Sequence, residues 1–237
     1  MAQIFLTAEW RKLAMANYPV EPGALLPFLP VKTELDTWAG DPYVSLVGFQ
    51  FREVRVRGRR IPYHTHFPEV NLRFYVRYKD GSEWKRGVVF IREIVPLRTV
   101  AWVANALFGE RYIARPMRYV ETGDATVLRT AYHWWYKSRW NSLSLKAAGR
   151  PIPLQEGSQE EFITEHFWGY AKTRSGSTNE YRVAHPRWEI YPVTECLVEC
   201  DFGRLYGPAF AHLGERKPQS AFLAEGSAIE VYQKIRL

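Results

Sequence analysis

A chain of 237 residues, 46% hydrophobic and 24% charged, has the balance of a globular protein and can bury a substantial core. No apolar run approaches the ~20 residues that span a bilayer, and the first residues lack the basic stretch and apolar core of an export signal. A cytoplasmic protein with no membrane partner is therefore expected. The net charge of +7 is partly local, because Arg52, Arg55, Arg57, Arg59 and Arg60 crowd one short segment. Such a segment could follow phosphates. The other basic residues are dispersed, however, and no helix-turn-helix, zinc-finger or RNP pattern accompanies them, so a solvated rim is preferred to a nucleic-acid surface.

In chain order, the pattern predicts strands over 13–18, 43–51 and 70–78, with a short helix opened by Pro22 between the first two. Asp80-Gly81 then reads as a hairpin turn into a strand over 87–91. A helix over 97–108 is expected from Val100, Val103, Ala104 and Leu107, which fall on one stripe ended near Gly109. Strands follow at 113–121, 126–137 and 143–147. Ser158 with Glu161 forms a capping-box start for a helix over 159–164. Strands over 167–171, 181–184, 188–191 and 228–235 complete the chain. With no Gly/Ser linker and no repeat, one domain over 1–237 is expected: α+β, mainly β, with a closed or nearly closed sheet and helices packed outside it.

Strand period two places Val70, Leu72, Phe74 and Val76 on one face of 69–76, and Glu69, Asn71, Arg73 and Tyr75 on the other. The polar face either meets water or lines a lumen. In a lumen, Arg73 would hold a carboxylate or phosphate through two parallel hydrogen bonds, and Glu69 would neutralise it or act as an acid/base.

Three motifs are shared with one family: Glu69-x-Asn71-x-Arg73-x-Tyr75-Val76, Glu165-His166-x-Trp168-Gly169-Tyr170 and His185-Pro186-x-Trp188. In these the chain resembles the YqjF-like family, uncharacterised bacterial proteins of the acetoacetate decarboxylase-like superfamily. The resemblance runs from about Pro22 through the final strands. It implies an acetoacetate decarboxylase-like β-barrel or cone around a small-molecule cavity, with a few flanking helices. Decarboxylases of that superfamily use a Schiff-base lysine beside a second lysine. The corresponding region here, Phe108 to Met117, holds no lysine, and none occurs from Gly87 to Tyr136. Arginine cannot form the imine, so Schiff-base decarboxylation is not expected. The chain also departs from the family at Ile91-Arg92-Glu93, where a charged pair ends a strand.

His64-Thr65-His66 offers two metal ligands but no evident third, and no metal is expected. Glu165-His166 passes from a helix onto a strand, with period two grouping His166, Trp168 and Tyr170 opposite Glu165 and Phe167. His166 is either a general acid/base or a structural histidine under aromatic rings. His185 is held extended before Pro186 and reads as structural. Cys196 and Cys200 read as free thiols, and no Gly-x-Ser-x-Gly elbow or phosphate-binding loop appears.

The expected ligand is a small, anionic, partly apolar molecule, held by Arg73 and Arg115 with Asn71, Tyr112, Trp168 and Tyr170 around it. Glu69 and His166 are the candidate acid/base groups, and no cofactor is implied. Two readings stand side by side: a lysine-independent enzyme on an organic acid or carbonyl compound, and a binding or sensing protein without chemistry. Homo-oligomerisation is left open.

Overall fold

Val, Ile, Phe and Tyr supply 28 of the first hundred residues, and these shapes suit a pleated, half-buried surface. They form four long strands in the computed structural model, which describes residues 3–173 and 175–237. These are β1 (Ile4–Pro19), β3 (Tyr43–Val56), β5 (Phe67–Asp80) and β6 (Glu83–Val95), with β2 (Thr33–Leu35) and β4 (Arg59–Arg60) as short additions beside β5 and β3. Between β1 and β2, Pro22 opens α1 (Pro22–Leu25), which tightens into a 3-10 turn over Leu26–Phe28. The turn from β5 to β6 pairs Asp80 with Glu83, and Gly81 supplies its positive φ of 61°.

α2 (Arg98–Phe108) ends at Gly109, whose left-handed φ of 78° returns a backbone hydrogen bond to Asn105. The single strand expected over 113–121 is instead two. β7 (Tyr112–Ala114) runs parallel to β6, whereas β8 (Met117–Gly123) joins a separate sheet with β9 (Val127–Tyr136), β10 (Arg139–Ala148) and β15 (Val193–Glu199). The chain changes sheets at Arg115-Pro116, where proline has no N–H to give a ladder. β15 itself went unread because its alternation is broken. Glu195 pairs with Lys146 but Val193 with Ala147, so the strand bulges at Thr194.

The remaining elements are β11 (Ile152–Pro153), α3 (Gln159–Thr164), β12 (Trp168–Lys172), β13 (Thr178–Ala184), β14 (Glu189–Tyr191), α4 (Phe202–Tyr206), a 3-10 helix over Pro208–Glu215, β16 (Ser220–Tyr232) and β17 (Ile235–Arg236). Ser158 caps α3 by accepting from the Glu161 N–H at 3.2 Å, with Glu160 and Glu161 in the first turn.

Hydrogen-bonded neighbours in the larger sheet run β16-β1-β3-β5-β6-β12-β13, and β13 pairs again with β16 through Val183–Val231 and Ala184–Glu230. The parallel contact between β6 and β12 is equally short, Gly87 with Trp168 and Val88 with Gly169. Gly87 permits it, since a Cβ there would lie 2.5 Å from the Trp168 carbonyl oxygen.

The two faces of β5 serve two buried regions. Val70, Leu72, Phe74 and Val76 pack with Tyr132, Trp134, Leu143 and Leu145 of the second sheet. Tyr75 packs on the opposite side with Phe162 and Val88. A four-stranded sheet, and not helices alone, therefore covers one side of the larger sheet, which corrects the expected arrangement. The result is a mostly-β fold with flanking helices. Among the described residues, no helix is long and apolar enough to cross a membrane.

Candidate functional site

The polar face of β5 lines a cavity of about 450 Å³, together with residues of β1, β3, β6, α2 and β13. Its walls are mainly apolar: Phe49, Phe51, Val88, Val100, Val103 and Phe108 all contribute. Six of its polar and charged residues are buried, Glu69, Asn71, Arg73, Glu93, Glu110 and His166 each being at most 9% exposed. The cavity reaches solvent beside Ile61 and Thr99.

Glu93 enters the cavity through a bulge. Arg92 pairs with Leu72 but Phe90 with Arg73, leaving Ile91 as the extra residue. Val88 and Phe90 line the cavity by period two, and the shift then brings in Glu93 and not Arg92. Plain alternation gives the reverse, so this residue was missed. Its signal was the departure from the family at Ile91-Arg92-Glu93, a charged pair inside the run Val88 to Val95.

Glu69 accepts from Asn71 Nδ2 at 3.0 Å and from the Tyr112 hydroxyl at 2.9 Å. Burial pushes its carboxyl up to about 7, against those two hydrogen bonds and the charge of Arg73. Glu110, which accepts from the Tyr181 hydroxyl at 2.7 Å, is pushed up to about 8 by burial, with Glu69 adding to the effect. Glu93 stands well above the usual carboxylate range, through burial and then repulsion from Glu110 and Glu69. Three carboxyls buried in one pocket cannot all ionise, so the cluster retains protons at neutral pH. Tyr112→Phe removes a donor to the ionised form of Glu69. Its carboxyl is expected to titrate above about 7, with about 1 kcal/mol lost in stability, read by carbon-13 NMR titration and urea unfolding.

Arg73 does not pair with Glu69. Its terminal nitrogen approaches Met15 Sδ at 3.9 Å, its plane lies over the Tyr75 ring, and its buried Nε meets no acceptor among the described residues. His166 Nε2 lies 3.1 Å from Asp36 Oδ2, which also receives Arg86 Nε at 2.6 Å. Burial holds the imidazole down at about 4 despite the Asp36 bond, so it is neutral at pH 7. A neutral ring facing a carboxylate carries its proton on that side, leaving Nδ1 as a bare acceptor, and this atom has no partner among the described residues. Asp36, which sequence reasoning did not single out, is thus what orients His166.

Of the residues expected at the site, Glu69, Asn71, Arg73, Tyr112, His166 and Trp168 line the cavity. Tyr170 and Arg115 do not. Tyr170 faces the other buried region and donates to Glu180 at 3.0 Å, so it lies across the sheet from His166. The expected common face holds for Trp168 and Tyr170, which both pack with that region, but not for His166, which precedes the start of β12 at Trp168. Arg115 bonds the Ala114 carbonyl and lies over the Tyr136 ring, where the chain crosses to the second sheet. No lysine lines the cavity among the described residues. His64 bonds the Pro62 carbonyl and Thr99, while His66 contacts Glu53 at 3.3 Å, so the two diverge.

A mostly-β fold with flanking helices of this kind resembles acetoacetate decarboxylase-like structures. The acetoacetate decarboxylase of Legionella pneumophila superposes with a TM-score of 0.64 at 12% identity, covering 98% of this chain and 88% of that one. The enduracididine biosynthesis enzyme MppR, complexed with the condensation product of pyruvate and imidazole 4-carboxaldehyde, gives 0.67 at 12% identity, covering 100% and 90%. An acetoacetate decarboxylase-like enzyme from Sphingomonas wittichii RW1 gives 0.62 at 12%, covering 99% and 94%. At such identities the likeness concerns the fold. In sequence, the uncharacterized protein YqjF of Bacillus subtilis (strain 168) is 29% identical over 182 residues, 75% of this chain and 72% of that protein. Residues 7–228 match DUF2071, described as an uncharacterized conserved protein, and the chain belongs to that family.

Proposed function

We propose that the chain binds a small organic acid with an apolar body, seated head-first in the lumen of a strand barrel. Arg73 takes the carboxylate, Asn71 and His166 accept hydrogen bonds from the ligand, and the aromatic and aliphatic walls enclose the rest. One observation carries this reading. Of ten buried polar side-chain atoms without a protein partner among the described residues, five belong to residues lining this cavity: Trp10, Asn71, Arg73, Glu93 and His166. Each orphaned group costs about 1–3 kcal/mol, so such a gathering supports a place built to be satisfied by something else.

Glu69, poised near neutrality beside the anion site, supplies the acid/base function of a lysine-independent enzyme on an organic acid or carbonyl compound. A binding or sensing role without chemistry is favoured by one feature, the neutral His166 fixed by Asp36, which leaves little basicity on that wall.

A thermal-shift panel of carboxylates, keto acids, fatty acids and phosphates tests the reading on wild type and Arg73→Ala. Ligand at ~100 times its dissociation constant stabilises by about 2.7 kcal/mol. Acids are expected to shift only the wild type. Equal shifts, or none, would remove the assignment of Arg73. Conversion of the bound acid by wild type, absent in Glu69→Gln with the shift retained, selects the enzyme; recovery unchanged selects the binder.

A further inference from the structure

We propose that the face carrying the cavity mouth docks on an anionic lipid surface, from which an amphiphilic acid enters the cavity. The ligand class rests on the function proposed above, whereas the docking surface rests on separate residues.

The mouth has two sides. One is the β3–β4 hairpin with the segment after it, which contributes Val54, Val56, Ile61 and His64 to the cavity. The other is α2, which contributes Thr99, Val100, Val103, Ala104 and Phe108. They are tied at both ends of the helix. His64 Nε2 meets Thr99 Oγ1 at 2.5 Å near its start. Near its end the Phe108 and Phe5 rings lie 5.0 Å apart, and the Phe5 carbonyl accepts from the Arg57 N–H at 2.8 Å. Hairpin and helix therefore present one continuous face.

Two properties of this face point to one partner. Its charge is of one sign: Arg55, Arg57, Arg59, Arg60 and Arg98 are exposed, and neither 54–68 nor α2 contains an acid. Glu53, at the base of the hairpin, answers only Arg60 and His66. Among these arginines stand large apolar side chains in water, Tyr63 at 94% exposure, Trp102 at 72% and Ile61 at 43%. Aromatic rings beside cations suit the boundary between headgroups and acyl chains, and the cations suit anionic headgroups. A nucleic-acid backbone would satisfy the arginines but would lie across the apolar opening between them. A lipid surface meets both, and its acyl region is continuous with the cavity walls.

The orientation of the cavity agrees. Arg73 and the carboxyls are buried whereas Ile61 and Thr99 are exposed at this face, so an acid leaving a bilayer must pass its head inward to reach Arg73 and trail its chain towards Ile61 and Val100.

Co-sedimentation with phosphatidylglycerol–phosphatidylcholine vesicles, and with phosphatidylcholine vesicles alone, tests the proposal. Binding is expected only to the anionic vesicles and is expected to weaken with added salt. Each arginine contributes roughly fivefold at such a surface, so Arg57→Ala with Arg59→Ala should weaken partitioning at least about tenfold. Trp102→Ala with Tyr63→Ala should also weaken it. Arg73→Ala should bind vesicles as wild type does, which separates failure of docking from failure of the ligand assignment. Unchanged thermal unfolding of the arginine and aromatic variants, all altered at exposed positions, shows that the fold persists. Absence of vesicle binding by wild type would overturn the proposal, as would binding that the arginine variant retains. Duplex DNA bound through these arginines while vesicles are not would also overturn it, and would make the patch a nucleic-acid surface.

Discussion

Gly87→Ala is expected to lower the free energy of unfolding by about 3 kcal/mol, measured by urea denaturation. The added Cβ would lie 2.5 Å from the Trp168 carbonyl oxygen and 2.6 Å from the Tyr170 ring. The ring could turn, but the carbonyl belongs to the partner strand. Only two residue pairs join β6 to β12, so separating them there leaves little of the contact. The same junction brings Trp168 and Gly169 to the cavity, and ligand-induced stabilisation should fall with it. Gly23→Ala is the control. Nothing lies within 4 Å of its Cβ position, and alanine in α1 should be neutral or stabilising by up to about 1 kcal/mol.

The carboxyl cluster should give stability an unusual dependence on pH. Glu69 at about 7 and Glu110 at about 8 both lie above the 4.5 of an unperturbed glutamate, and Glu93 is raised as well. The folded protein thus keeps protons that the unfolded chain has released. Stability from this source is fully present below 4.5 and is lost as pH rises through the folded values. His166 and His185, both pushed down to about 4 chiefly by burial, oppose this between 4 and 6.5. Above 6.5 the histidines are neutral in both states and the carboxyls govern the slope. Stability is expected to fall by about 3 kcal/mol between pH 6.5 and pH 8. Glu93→Gln removes one of the three protons concerned and leaves no buried charge to form. It should raise stability at pH 8 and flatten the profile. A profile that rises over this window, or a Glu93→Gln protein weaker at pH 8, would contradict the electrostatics of the site.

Much of the architecture was legible because its strands alternate cleanly. The split between Val70, Leu72, Phe74, Val76 and Glu69, Asn71, Arg73 could be read directly, and these sets do face two different surroundings. The sequence alone could not choose between solvent and lumen for the polar set, since that depends on which strands stand opposite. Residues beyond a bulge were illegible. The extra Ile91 sends Glu93 inward, and the irregularity at Thr194 hid β15. Contacts across long separations were illegible too, and Asp36 reaching His166 is one. Tyr170 was misplaced by grouping it with His166, which lies before β12 begins, and Arg115 by expecting one strand over 113–121 where the chain instead crosses between two sheets. The stripe on α2 held for Val100, Val103 and Ala104 but not for Leu107, which is 44% exposed. The departure at Ile91-Arg92-Glu93 and the missing lysines leave a cavity lined, among the described residues, by three buried carboxyls and a single arginine, with no lysine.

The most direct test is a crystal structure of the protein bound to whichever acid stabilises it most. The account predicts the carboxylate within hydrogen-bond distance of the Arg73 guanidinium, beside Asn71 and Glu69, with the apolar chain running towards Ile61 and Val100. A carboxylate at the mouth among the hairpin arginines, or an acid bound outside this cavity, would contradict it.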